Sequence, residues 1–133
     1  MQAIIDHLTE TLLLVFIAIT FLQSGLDKIV DWKGNLGWLK GHFAKSPFRN
    51  MVPQLLLIIL LVETLAGLLS LAGIIELFLT GGTLLGFTGA LLACLALLML
   101  LLGQRIAKDY DGARTIVIYL MPVIFLLYLL QSQ

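Results

Sequence analysis

Charge is scarce in this chain. Eight basic and eight acidic residues make up 12% of its 133 positions, against roughly 25% in a soluble domain. With 60% hydrophobic residues and a mean hydropathy of +1.06, there is too little polar surface to cover a soluble globule. The solvent must be largely lipid. The net charge is zero, so bulk electrostatics suggests no nucleic-acid partner. Cysteine is nearly absent: Cys94 stands alone, which excludes an intrachain disulfide and any CxxC pair. Lying in an apolar stretch, it reads as a small packing residue. No HExxH or EF-hand pattern occurs, and no phosphate-cradling glycine loop follows a strand.

What is present is a set of long apolar runs. Spans are expected at residues 8–29, 53–73, 77–102 and 113–130, joined into one domain over residues 1–133. Each is long enough to cross about 30 Å of hydrocarbon as a helix. Helices are required because backbone groups cannot stay unpaired in lipid. The fold class is therefore all-α, an integral membrane four-helix bundle with a short interfacial segment between spans one and two. The N-terminal region carries Asp6 and Glu10, no Lys or Arg, and no small-residue cleavage site, so it reads as a retained first span.

The charges sort by side. Lys28, Lys33, Lys40, Lys45 and Arg49 lie at or in the connection between spans one and two. Arg105, Lys108 and Arg114 lie at or in the connection between spans three and four. These are all eight basic residues. Four spans put both connections on one side of the bilayer. The positive-inside rule makes that side cytoplasmic, with both termini facing the periplasm of a bacterial inner membrane. His7 and His42 then belong to opposite faces, so they cannot jointly ligate a midplane haem.

The first connection interleaves Trp32, Leu36, Trp38, Leu39, Phe43 and Phe48 with basic residues, a composition suited to the membrane–water interface. Leu36, Leu39 and Phe43 have helical spacing, although three glycines weaken a helix there. Two readings stay open: a membrane-anchored loop, or a lid over a site that opens to the cytoplasm.

Glu63 is the one charged residue in the run 53–73. A carboxyl group at such depth costs ~2.5–3.5 kcal/mol on insertion scales unless it is protonated, partnered or facing water. It shares a helix face with Ala66, Gly67, Ser70 and Gly73, so it should meet another helix. Small residues also stripe span three, and Gly67, Gly82, Gly86 and Ala90 are expected packing positions. Matching span midpoints brings Glu63 level with Tyr119 and Thr88, with Gln23 somewhat nearer the cytoplasm. A polar cluster of Glu63, Tyr119 and Gln23 is expected, with Tyr119 as the first partner. No basic residue is expected at that depth, so Glu63 is expected in its neutral, protonated form. At the cytoplasmic edge, Asp27 is placed to pair with Lys28 or Arg105. Gln104, Arg105, Lys108, Asp109 and Tyr110 gather there too, where an anionic head group or a quinone would approach.

The close of span one (SGLDKIVD), Glu63 followed by Gly67 and Gly73 in span two, and QRIAKDYDGAR before span four carry a resemblance. The chain resembles the DoxX family of small four-span bacterial membrane proteins along essentially its whole length. The resemblance implies association with membrane redox systems. A related protein is a subunit of a thiosulfate:quinone oxidoreductase, and other members are linked to oxidative-stress complexes. Because this sequence lacks the cysteines of a thiol–disulfide enzyme and any soluble catalytic domain, it fits an accessory subunit better than a stand-alone enzyme. The expected contacts are quinone or bound lipid rather than an intrinsic cofactor, and other membrane subunits or further copies of the chain. A structural assembly role and a small transporter are the alternatives.

Overall fold

The computed structural model describes residues 2–132. They form six helices and no strand: α1 (Gln2–Asp6), α2 (Leu8–Val30), α3 (Trp32–His42), α4 (Val52–Thr80), α5 (Leu84–Ile106) and α6 (Tyr110–Gln131). Helices α2, α4, α5 and α6 are each long and apolar enough to cross a membrane. They carry exposed Leu, Ile, Val and Phe on their outer faces, for example Leu12, Ile19, Leu61, Leu68, Leu98 and Phe125. Such surfaces are stable only in lipid, and the chain is a multi-pass membrane protein.

The inner faces follow helical spacing. Leu14, Ile17 and Phe21 of α2 meet Ala66 of α4, Ala90, Ala93 and Leu97 of α5, and Val123, Leu126 and Leu130 of α6. Packing runs from α2 to α4, α4 to α5 and α5 to α6, while α6 touches α2 more lightly. Among the described residues no Cα of α4 comes within 8 Å of one in α6, so the two helices stand diagonally across the bundle.

Glycine sets the closest approach. A Cβ built on Gly73 would lie 2.5 Å from the Gly86 Cα, and one on Gly89 would lie 2.8 Å from the Ser70 backbone nitrogen. Neither backbone can retreat cheaply, so α4 and α5 cross at a distance only glycine permits. Gly67 lies against Leu22 in the same way, and Gly86 and Ala90 are buried. Gly82 departs from expectation, because it lies in the turn after α4 beside Glu76 and Thr80 rather than on a helix face.

That turn is displaced from the expected one. α4 does not stop at residue 73; it continues to Thr80 and ends on Gly81 in the left-handed conformation, φ 75°. Gly73 reads as a stop in sequence, but here it serves helix contact. Glu76 is not in a loop either: its Oε1 accepts the Leu85 backbone N–H at 3.0 Å and so ties the end of α4 to the start of α5. At the other end of α5, Asp109 N–H bonds the Gln104 carbonyl and Lys108 takes a φ of 61°. Lys108 thus occupies the left-handed position that glycine normally fills in a helix-ending motif. Asp109 then caps α6 by accepting the Gly112 N–H at 2.9 Å.

Candidate functional site

The helices are unequal, and that inequality opens a space. α2 ends two residues after Lys28, whereas α4 runs eleven residues outward from Glu63 to Val52, about 16 Å. The outer part of α4 therefore has no α2 beside it. The chain turns at Asp31 and lays α3 across the gap, with Gly34 tight against the Asp31 carboxylate. α3 does not fill the gap. It roofs a cavity of about 470 Å³.

The walls are apolar: Leu55, Leu56 and Ile59 from α4, and Met99, Leu100 and Gly103 from α5. The roof comes from one face of α3 and its continuation, where Asn35, Trp38, Leu39, His42 and Phe43 recur every three or four residues. Phe48 adds a further ring, 6.3 Å from Phe43. Ser46 is buried and shapes this stretch: its hydroxyl donates to the Phe43 carbonyl at 3.0 Å and accepts the Phe48 N–H at 3.1 Å.

Polar groups occur at two places in the lining. At one, Lys28 reaches inward. Its Nζ lies 3.1 Å from Glu63 Oε1 and donates to Ser24 Oγ at 2.7 Å. The Glu63 side chain is 3% exposed and that of Lys28 16%. The contact has ion-pair distance but not hydrogen-bond direction, and Glu63 Oε1 accepts no hydrogen bond. Thr64 Oγ1 and Ser70 Oγ, also buried on α4, have none either. At the other place, His42 bridges α3 to the α5–α6 turn. Its Nε2 lies 2.8 Å from Gln104 Oε1 and 3.7 Å from Asp109 Oδ2. Its ring stacks on Trp38 with centroids 4.6 Å apart and meets Phe43 edge-on.

This geometry revises the expected polar cluster. Glu63 meets Lys28 rather than Tyr119, because Tyr119 is on the diagonal helix. Tyr119 is instead 39% exposed and stacks near Phe16 at 6.3 Å. Gln23 is exposed, and Thr88 donates to its own helix at Leu84. A basic residue does lie at the depth of Glu63, contrary to expectation. Asp27 is exposed and pairs with neither Lys28 nor Arg105 among the described residues. Arg105 lies over the Tyr110 ring, on the flank between α5 and α6. His42, Trp38 and Asn35 were not expected at a site. Their spacing on α3 was the available signal, but the glycines masked it.

The arrangement can hold an apolar body with an oxygen-bearing head. Lys28 offers ammonium hydrogens, and the ring wall offers stacking. The fold and site define a helical membrane protein with a roofed, partly open and mostly apolar cavity. No protein-family model, curated protein or solved structure matches the chain.

Proposed function

We propose that this is a DoxX-like accessory subunit of a membrane redox or respiratory complex, and that the cavity beneath α3 holds a quinone. One observation carries the reading: an apolar, ring-lined cavity of about 470 Å³ with Lys28 in its wall. That volume lies in the range of small-ligand sites, roughly 300–1,000 Å³. A quinone complements this wall, with a flat ring for the aromatic side chains to stack on and a carbonyl acceptor for Lys28. The buried carboxylate of Glu63 behind Lys28 holds the ammonium in place. With one cysteine the chain has no dithiol of its own, so electrons pass through a partner subunit. The basic helix ends support a cavity on the cytoplasmic side of a bacterial inner membrane, with both termini periplasmic.

The small-residue faces bear on the alternative of an assembly protein. Gly67, Gly73, Gly86, Gly89 and Ala90 are all buried inside the chain's own bundle. These five residues are already engaged within the bundle and are not open to a partner, so the cavity is the stronger feature. The test is saturable binding of a short-tailed quinone analogue to the detergent-purified chain, with identification of copurifying proteins. Leu55→Trp fills part of the cavity and should weaken binding at least tenfold while leaving the helical content unchanged. The reading fails if the chain neither binds the analogue nor brings a redox partner with it, or if Leu55→Trp binds as well as the parent.

A further inference from the structure

A second recess lies on the flank between α5 and α6, where one helix ends and the next begins. It encloses about 360 Å³ and is lined by Leu101, Arg105, Tyr110, Ala113, Arg114 and Val117. It shares no lining residue with the cavity under α3.

Its lining is graded by depth. Arg105, Tyr110 and Arg114 lie toward the helix ends. Leu101, one turn further into α5, and Val117, one turn further into α6, lie toward the interior of the spans. The two arginines are poorly neutralised. The Arg105 guanidinium sits 4.9 Å from the Tyr110 ring centroid, which fixes its position without cancelling its charge. It has no ion-pair partner among the described residues. Arg114 meets Asp111 at 3.5 Å, but the two side chains are 74% and 94% exposed. Such an exposed pair holds its partners loosely.

We propose that this recess seats the phosphate of an anionic phospholipid, with an acyl chain descending along Leu101 and Val117. Two guanidinium forks match the oxygens of one phosphate. Tyr110 also lines the recess and brings a hydroxyl donor to it. Basic pockets between helix ends at the membrane surface are where lipid head groups bind. The apolar lower half selects a lipid over free phosphate, because an inorganic ion gains nothing from Leu101 or Val117. The recess also opens on a face already turned to the bilayer, since Val117 in its lining and Leu98, one turn further into α5 from Leu101, are exposed.

The experiment is native mass spectrometry of the full chain in dodecylmaltoside, titrated with phosphatidylglycerol or phosphatidylcholine. The expected result is a saturable one-to-one phosphatidylglycerol adduct that millimolar inorganic phosphate does not displace. Arg105→Gln or Arg114→Gln should weaken it about fivefold each, and the pair together about thirtyfold. Lys33→Gln with Lys40→Gln removes two charges from α3 and should change it by less than about twofold. Four results overturn the proposal: equal retention of phosphatidylcholine, displacement by phosphate alone, an unaffected arginine double variant, or equal loss in the lysine double variant. None bears on quinone binding, so the two proposals fail separately.

Discussion

Removing Lys28 should destabilise the protein more than removing Glu63, although the two form one pair. At 3.1 Å and an effective dielectric near 20, their attraction is about 5 kcal/mol. Desolvating both ions consumes several kcal/mol each, so the pair adds little over an apolar pair of similar volume. Breaking it is another matter, because a buried charge left alone costs ~3–5 kcal/mol. The two residues are unequal at this point. Lys28 keeps a hydrogen bond to Ser24 at 2.7 Å and is 16% exposed, so its ammonium can turn outward. The Glu63 side chain is 3% exposed and its Oε1 accepts nothing else. Lys28→Met should therefore cost ~3–5 kcal/mol and Glu63→Leu only about 1–2 kcal/mol. The double variant should return to within about 1 kcal/mol of the parent, a coupling of at least ~2 kcal/mol. The assay is unfolding in mixed dodecylmaltoside and dodecyl sulfate micelles, followed by far-ultraviolet circular dichroism at neutral pH. A Lys28→Met cost below about 1 kcal/mol, or a double variant as unstable as the sum of the singles, would refute the pairing and the depth assigned to Lys28.

Gly73→Ala should cost ~2 kcal/mol or more, since its new Cβ would meet Gly86 backbone at 2.5 Å. Gly37→Ala on α3, where a Cβ meets nothing within 4 Å, should instead gain ~0.5–1 kcal/mol. Thermal melting in detergent distinguishes them. Lys108→Gly should raise the melting temperature, because a φ of 61° costs a side-chain-bearing residue about 1 kcal/mol or more; an unchanged or lower value counts against that strain. His42→Ala removes the bond to Gln104 and the ring stacked on Trp38. It should leave the bundle melting within about 1 kcal/mol of the parent yet speed amide exchange across α3; unchanged exchange would mean that other contacts hold the roof.

The spans were legible because lipid imposes one rule on every exposed position, and runs of Leu and Ile satisfy it openly. The small faces were legible for a related reason: helices in lipid meet through glycine and alanine, and Gly67, Gly86 and Ala90 do so. Neighbours were harder to read. Depth along a span can be counted from residue numbers, but nothing in the sequence says that α4 and α6 stand diagonally. Depth alone therefore sets Tyr119 opposite Glu63, although their helices are not side by side. Lys28 reads as an outward anchor, as a lysine near a span end ordinarily is. Its inward turn follows from the short reach of α2 beside the long reach of α4, a relation between two helices that neither run displays. The cavity has the same origin. Gly73 misled for a different reason, since glycine ends helices and also lets them touch.

One property of the roof has a practical side. The chain has two tryptophans, and both lie on α3, Trp32 at its first position and Trp38 in the cavity lining. No indole lies elsewhere in the chain, so the tryptophan emission of the protein comes from its roof alone. Trp38 is 62% exposed and stacked on His42. Lifting the roof, closing it, or sliding a quinone ring beneath it would each alter that emission. The protein carries its own optical gauge of whether the cavity is open or filled, with no label added.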